Sequence, residues 1–441
     1  MRPKASYVMP LLVLVLPWVV LAGVFATNEQ GSFPVDRKVL PPAAPGRAHA
    51  ATDDVPSPVD KRLFAAARVV ADKPTDPAAQ AAFAHLLEQK AREVGNAAYH
   101  RMAENAARTA LETDPDHALA RAALGVALCG QHRFSEALAF VRSLTGEKQN
   151  VWRQACEFDA LFELGRYDEA TEMAQRLVDF KPGAESYPRV GQIRELLGDS
   201  QGSREVWQLA ILAMPAGSAN AWAATQAGDM ELRQGELDAA RAAYEVALGS
   251  YPDYHLARLG LARCAIARGG LAEAESLLLR LSERYGDLPT SSLLGDVEEA
   301  LGKTGDADRA WEQAIATEAF SKAAGIPDRR GVAVFLADHD RDAKHAIELA
   351  REELSERPTV LAEDALAWAL FKDGKLAEAR EHSERARRFG TKNPWFLYHA
   401  ARVELASGRG SEGHADLERA LATGLRADPR QARCAEQLLG R

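Results

Sequence analysis

The stretch AWAATQAGDMELRQGELDAARAAYEVALGSYP, residues 221–252, decides the fold. Apolar side chains recur at helical spacing on both sides of Gly235, and Pro252 closes the segment, because proline cannot continue a helix and disfavours helix in the residue before it. The spacing predicts two antiparallel helices of about a dozen residues each, joined by a short turn at Gly235. Gly228 and Ala240 are small enough to let the paired helices approach, while Leu232, Leu237, Tyr244 and Leu248 fill the space between neighbours. One such hairpin leaves an apolar face bare, so copies of it have to stack.

The turn glycine recurs at Gly165, Gly198, Gly235, Gly269, Gly302, Gly374 and Gly408, with separations of 33, 37, 34, 33, 72 and 34 residues. A small residue of the second helix recurs at Ala103, Ala137, Ala170, Ser203, Ala240, Ala274, Ala307, Ala346 and Ala379, and Ala346 falls inside the double step of 72. Two independent series share one period, and Pro115, Pro182, Pro215, Pro252 and Pro358 mark helix ends. On these residues the chain resembles the tetratricopeptide repeat family. The resemblance covers residues 81–421. It implies an all-α fold, a right-handed α-solenoid of about ten helix-turn-helix units. Stacking of neighbours predicts a continuous core without contacts between residues distant in sequence.

Around the array the chain divides into a leader at 1–26, a Pro- and Ala-rich tether at 27–58, an N-terminal capping helix in 59–80, the repeats at 81–421 and a C-terminal cap at 422–441. The cap helices, from Val59 to Asp72 and from about Pro429 to Leu439, cover the apolar ends of the stack. Two units depart from the pattern: the one from Pro327 to Pro358 has Arg341 in place of the turn glycine, and the one from Pro394 to Leu421 has Gly413 where alanine belongs. Both are expected to be bent or loosely packed. Glu318 to Arg330 reads as an insertion between units.

Arg2 and Lys4 precede an uncharged apolar run from Val8 to Ala26, the layout of a secretory signal with cleavage after Ala22 or Ala26. Pro10, Pro17 and Gly23 weaken that run as a permanent span, which favours cleavage over a retained inner-membrane anchor. Either outcome places the body outside the inner membrane, periplasmic or secreted, because the basic residues stay cytoplasmic. In the 441 residues, 63 acidic side chains against 54 basic ones give a net charge of −9. That balance argues against nucleic acid as a partner, since phosphate binding needs a basic face. Cys129, Cys156, Cys264 and Cys434 form no CxxC pair and read as small buried residues; Cys129 and Cys156 are the pair in neighbouring units that an oxidising compartment would let bridge.

No phosphate loop, HExxH, GxSxG or strand-borne GxGxxG is present, so the chain reads as noncatalytic and without a cofactor. Asp338-His339-Asp340-Arg341-Asp342 could hold a metal, but a solvated run in the turn between paired helices is the plainer reading. The resemblance implies that the first helix of each unit lines an inner surface where extended peptides are held. The residues turned inward on that basis are Trp152, Asp159 and Phe162; Trp222, Asp229 and Leu232; Asp296 and Glu299; Phe335 and Asp338; Asp364, Trp368 and Phe371; and Trp395, Tyr398 and Arg402. Aromatic rings supply contact area, and carboxylates between them favour Lys or Arg on the ligand. Packing between helices is the competing role for each ring. The carboxylates are expected at the surface, because an unpaired buried charge is costly. Members of the family that clamp a terminal carboxylate do so with Lys and Asn; these places carry Asp, Ala, Trp and Leu here, so that role is not carried over.

The resulting expectation is a protein-protein interaction scaffold outside the inner membrane, gripping basic protein or peptide segments in an acidic, aromatic groove, with the membrane touched only through a retained anchor. The alternatives are an accessory subunit of an envelope or transport assembly docking through its convex face or caps, and a metal-dependent enzyme built on Asp338, His339 and Asp340.

Overall fold

The computed structural model describes residues 57–94, 98–144, 150–323 and 327–441. The leader read at 1–26 and, but for its last two residues, the tether at 27–58 lie outside the described residues. Among the described residues there are twenty-two α-helices and a 3-10 turn, with no strand. None of these helices is long and apolar enough to cross a membrane.

The first helix, α1 (Pro58–Asp72), is closed at its N-terminus by reciprocal 3.1 Å hydrogen bonds between Ser57 and Asp60. Ten hairpins follow. The first five pair α2 (Pro77–Val94) with α3 (Ala98–Thr113), α4 (Ala118–Gly130) with α5 (Phe134–Ser143), α6 (Val151–Glu163) with α7 (Tyr167–Phe180), α8 (Tyr187–Leu196) with α9 (Ser200–Ala213), and α10 (Ser218–Arg233) with α11 (Leu237–Ser250). The second five pair α12 (His255–Ala267) with α13 (Leu271–Arg284), α14 (Leu288–Ala300) with α15 (Thr304–Ala323), α16 (Arg329–Asp338) with α17 (Ala343–Glu356), α18 (Val360–Lys372) with α19 (Leu376–Ala386), and α20 (Pro394–Ala406) with α21 (Gly410–Ala422). A 3-10 turn (Gly424–Ala427) leads into α22 (Pro429–Leu438). The first part of the insertion read at Glu318 to Arg330 is helix, since α15 runs on for 20 residues to Ala323.

The two residue series do the physical work expected of them. All nine small residues from Ala103 to Ala379 are 0% exposed, so they sit where the helices cross. A Cβ on Gly228 would lie 2.6 Å from the Tyr244 ring, and Gly260 of the next unit faces the same ring; one aromatic side chain thus fills the gap between two units. The seven turn glycines take φ between +67° and +81°, a left-handed corner that lets the Arg166 amide, for example, return to the Leu161 carbonyl at 2.9 Å. His132 (φ +58°) and Asp340 (φ +52°) take that corner in the two turns that lack glycine. Asp340 rather than Arg341 therefore stands in for the missing glycine.

Neither irregular unit is loose. Ala333, Ala337 and Ala346 of the first are fully buried, and the Leu405 side chain lies where a Cβ on Gly413 would stand, 2.6 Å away, so glycine there marks a closer crossing.

The expectation of a core without sequence-distant contacts fails. The superhelix winds tightly enough for one coil to rest on the next, so residues about five to six units apart touch. The Val360 amide donates to Tyr167 Oη at 3.1 Å, Thr391 Oγ1 donates to the Leu196 carbonyl at 2.6 Å, and Arg357 pairs with Glu163. Tyr167, Leu196, Val360, Ala386 and Phe396 form a small buried apolar cluster across this seam. Nearer the N-terminus, Tyr251 Oη donates to Glu93 at 2.7 Å. The turns of one coil meet the connections of the other so closely that a Cβ on Gly165 would overlap the Pro358 carbonyl, and one on Gly198 the Gly390 carbonyl.

This contact can be weighed with a matched pair. Gly302 shares the corner, φ +79°, but faces open space, whereas Gly165, φ +67°, faces the neighbouring coil. We expect Gly302→Ala to cost about 1 kcal/mol and Gly165→Ala at least about twice that in urea denaturation. Equal losses would show that the coils do not bear on each other.

Candidate functional site

The first helices of the last four units, α14, α16, α18 and α20, form a concave wall, and α22 is laid back across it. The seat of α22 follows from its residues. Asp428 caps its N-terminus by accepting from the Gln431 amide at 2.9 Å, Arg430 pairs with Glu299 of α14 at 2.9 Å, and Gln431 Nε2 donates to Asp338 of α16 at 2.9 Å. The chain's own C-terminal helix therefore occupies part of the trough that was expected to lie open. Between it and the wall remains a cavity of about 620 Å³.

Six residues expected to face inward meet at this cavity: Glu299, Asp338, Trp368, Phe371, Tyr398 and Arg402. Trp368 is stacked with Phe371 at 5.1 Å and with His399 at 4.3 Å, and its indole N–H donates to Asp338 at 2.8 Å. The Arg402 guanidinium lies 5.2 Å from Phe371, 5.7 Å from Tyr398 and 5.9 Å from Trp368, and donates to Tyr398 Oη at 2.8 Å. Lys372 covers Trp368 at 4.9 Å and pairs with Asp340 at 2.7 Å. The sequence reading missed Asp340, Lys372, Arg430, Gln431 and Arg433 as lining residues. Arg430, Arg433 and Gln437 fall three and four apart on α22, a one-face stripe that was legible, although its seat was not.

The other inward residues do not join them. Trp152 and Phe162 pack against the core of the N-terminal units, with Phe162 5.3 Å from Tyr167. Asp159 is bound by Arg189 at 2.5 Å, Trp222 sits edge to face with Trp207 at 5.9 Å, and Asp229 accepts from Tyr244 Oη at 2.7 Å. Leu232 and Phe335 are buried core residues. Trp395 packs against the apolar cluster that contains Ala432 and Ala435 and so helps seat α22. The surface position expected for the carboxylates is wrong for Asp296 and Asp364, which are buried. Each has an imidazole partner that offsets the desolvation: His339 Nε2 lies 2.8 Å from Asp296, and His399 Nδ1 lies 2.9 Å from Asp364.

The run 338–342 is likewise solvated only in part. His339 is turned into the protein, with Nδ1 2.7 Å from the Phe335 carbonyl, while Asp340 is exposed. Among the described residues no group of three or more His, Cys, Asp or Glu side chains is placed to hold a metal ion. The Cys129 and Cys156 sulfurs lie 3.6 Å apart as free thiols.

Desolvation pushes the carboxyl of Asp428 up to about 7, and the charges of Asp296 and Asp338 push the same way. Asp338 is also raised, chiefly by desolvation. At His339 burial opposes the charged ring, but the Asp296 carboxylate prevails and raises it. For Asp428 the folded state holds its proton more tightly than the unfolded chain, whose value is about 4. Its contribution to the seat of α22 is thus full below about pH 4 and is lost as the pH rises to about 7. Hydrogen exchange of the α22 amides, corrected for intrinsic rate, should show protection falling over that range, and Asp428→Asn should flatten the fall. An unchanged slope in Asp428→Asn would refute the assignment.

Residues 90–150 and 231–292 each match the tetratricopeptide repeat. Over 139 residues the chain is 30% identical to "Cellulose synthase 1 operon protein C" of Komagataeibacter xylinus, a match that takes in 31% of this chain and spans 10% of that protein's length. Among solved structures it is similar to a chain of the APC/C hetero-tetramer Cut9-Hcn1, at 14% identity and TM-score 0.41 over 86% of this chain and 83% of that one. It is also similar to a tetratricopeptide repeat protein from Parabacteroides merdae ATCC 43184, at 15% identity and TM-score 0.36 over 65% and 98% of the two chains. With the repeat matched at two separate places, and the same hairpin stacked ten times over, the chain is a tetratricopeptide repeat protein.

Proposed function

We propose that the chain is a noncatalytic interaction scaffold, outside the inner membrane, that holds a segment of a partner protein on the concave face of its C-terminal coil. The observation that carries this reading is the convergence of four first helices and α22 on one half-open cavity of about 620 Å³, a volume in the range of ligand-binding clefts. Its lining combines an aromatic floor with paired and unpaired charges, and half-exposed Phe371 offers apolar area at the rim. The basic residues ahead of the apolar run at 8–26 support the location.

A second reading is an accessory subunit of an envelope or transport assembly that docks by its convex face or caps; the relative named for a cellulose synthase operon supports the accessory role. Leu212, 81% exposed on α9, marks a surface away from the cavity. The two readings separate in the native host when the photo-crosslinker p-benzoylphenylalanine replaces either Phe371 or Leu212. Groove binding yields a discrete protein adduct from position 371 and little from 212. Adducts at 212 with none at 371 would overturn it in favour of the convex face.

A further inference from the structure

The partner expected from the sequence carried Lys or Arg, because the inner carboxylates outnumbered the inner cations. Within the cavity the balance is reversed. Glu299 is engaged by Arg430 and Asp340 by Lys372, while Asp338 accepts from Trp368 and Gln431. The aromatic faces that would receive a foreign cation are occupied too: Arg402 lies within 6 Å of three rings, Lys372 covers Trp368, and Trp368 and Tyr398 are only 1% and 2% exposed.

Asp338 meets only neutral donors, yet the cations without a carboxylate partner, Arg402 and Arg433, outnumber it. Arg402 donates through Nη1 to Tyr398 Oη and to Cys434 Sγ, and no carboxylate among the described residues pairs with it. Arg433, exposed on α22 at the same cavity, has neither an ion pair nor a hydrogen bond among the described residues. A half-buried guanidinium with one face against aromatic rings has lost part of its water shell, so an anion meeting its free donors offsets that loss. The planar fork of a guanidinium fits a carboxylate in two parallel hydrogen bonds. Its orientation is already held by the rings, so little side-chain freedom is lost on binding.

Resting on the concave-face reading above, we propose that this cavity receives an acidic, partly apolar peptide segment of a partner protein, with Arg402 and Arg433 binding a side-chain carboxylate and Phe371 covering the apolar residue beside it. The receptor is built from the last two units and the capping helix.

The test uses the full chain, immobilised, and a library of random twelve-residue peptides displayed on phage. Enriched peptides should be net acidic with an Asp or Glu next to an apolar residue, and they should bind about tenfold more weakly to Arg402→Gln. Arg433→Glu, at an exposed position without partners, should weaken them comparably while leaving the helical circular dichroism intact, which guards against a folding defect in Arg402→Gln. Enrichment of basic or uncharged peptides, no enrichment at all, or acidic peptides that bind both variants as well as the parent would each overturn the proposal. If crosslinking at position 371 succeeds while the acidic preference is absent, only the ligand class is wrong; if crosslinking also fails, the concave-face reading falls with it.

Discussion

Helices that cross at residues too small to hold them apart are the constraint on which the rest of this molecule depends. A fully buried alanine or serine at nine of the ten crossings, and Gly413 at the tenth, sets the distance within a hairpin, and a ring such as Tyr244, resting against Gly228 and Gly260, sets the distance to the next hairpin. Repeated ten times, the same small rotation closes the ribbon into a coil narrow enough to lie on itself. The turn glycines then serve twice. They take the backbone corner that ends the first helix, and at Gly165 and Gly198 they leave room for the backbone of the neighbouring coil.

The cavity is a product of the same geometry. Curvature gathers the inner faces of α14, α16, α18 and α20, and α22 folds across them. That return brings Arg430 to Glu299 and Gln431 to Asp338, contacts that bridge residues 131 and 93 apart. Charges that looked available in the sequence are thereby used for architecture, and Arg402 and Arg433 are left without a carboxylate partner among the described residues. With α22 in place, four cations and three carboxylates line the cavity.

What could be read from the residues was what repeats. Turn glycines, crossing residues and the number of hairpins all follow from local chemistry at a fixed period. The corner at Asp340 was misplaced by one residue because aspartate, unlike glycine, does not advertise a positive φ. Burial of Asp296 and Asp364 was missed because their imidazole partners lie 43 and 35 residues downstream, in the next unit, where no periodic rule points to them. The coil seam escaped for the same reason at greater range: Tyr167 and Val360 are 193 residues apart, and only the accumulated pitch of the stack brings them together.

That pitch has a consequence for how such a chain can change length. In an open array each unit answers only to its immediate neighbours, so a duplication or loss in the middle is absorbed by a longer or shorter stack. Here the second coil is in step with the first, glycine corner against connecting loop, much as a thread engages a nut. Adding or removing one unit between Leu196 and Val360 would slide every later hairpin off its seat and set side chains against the bare corners. The number of units in that interval is therefore a property of the whole body, inherited or lost as a single quantity.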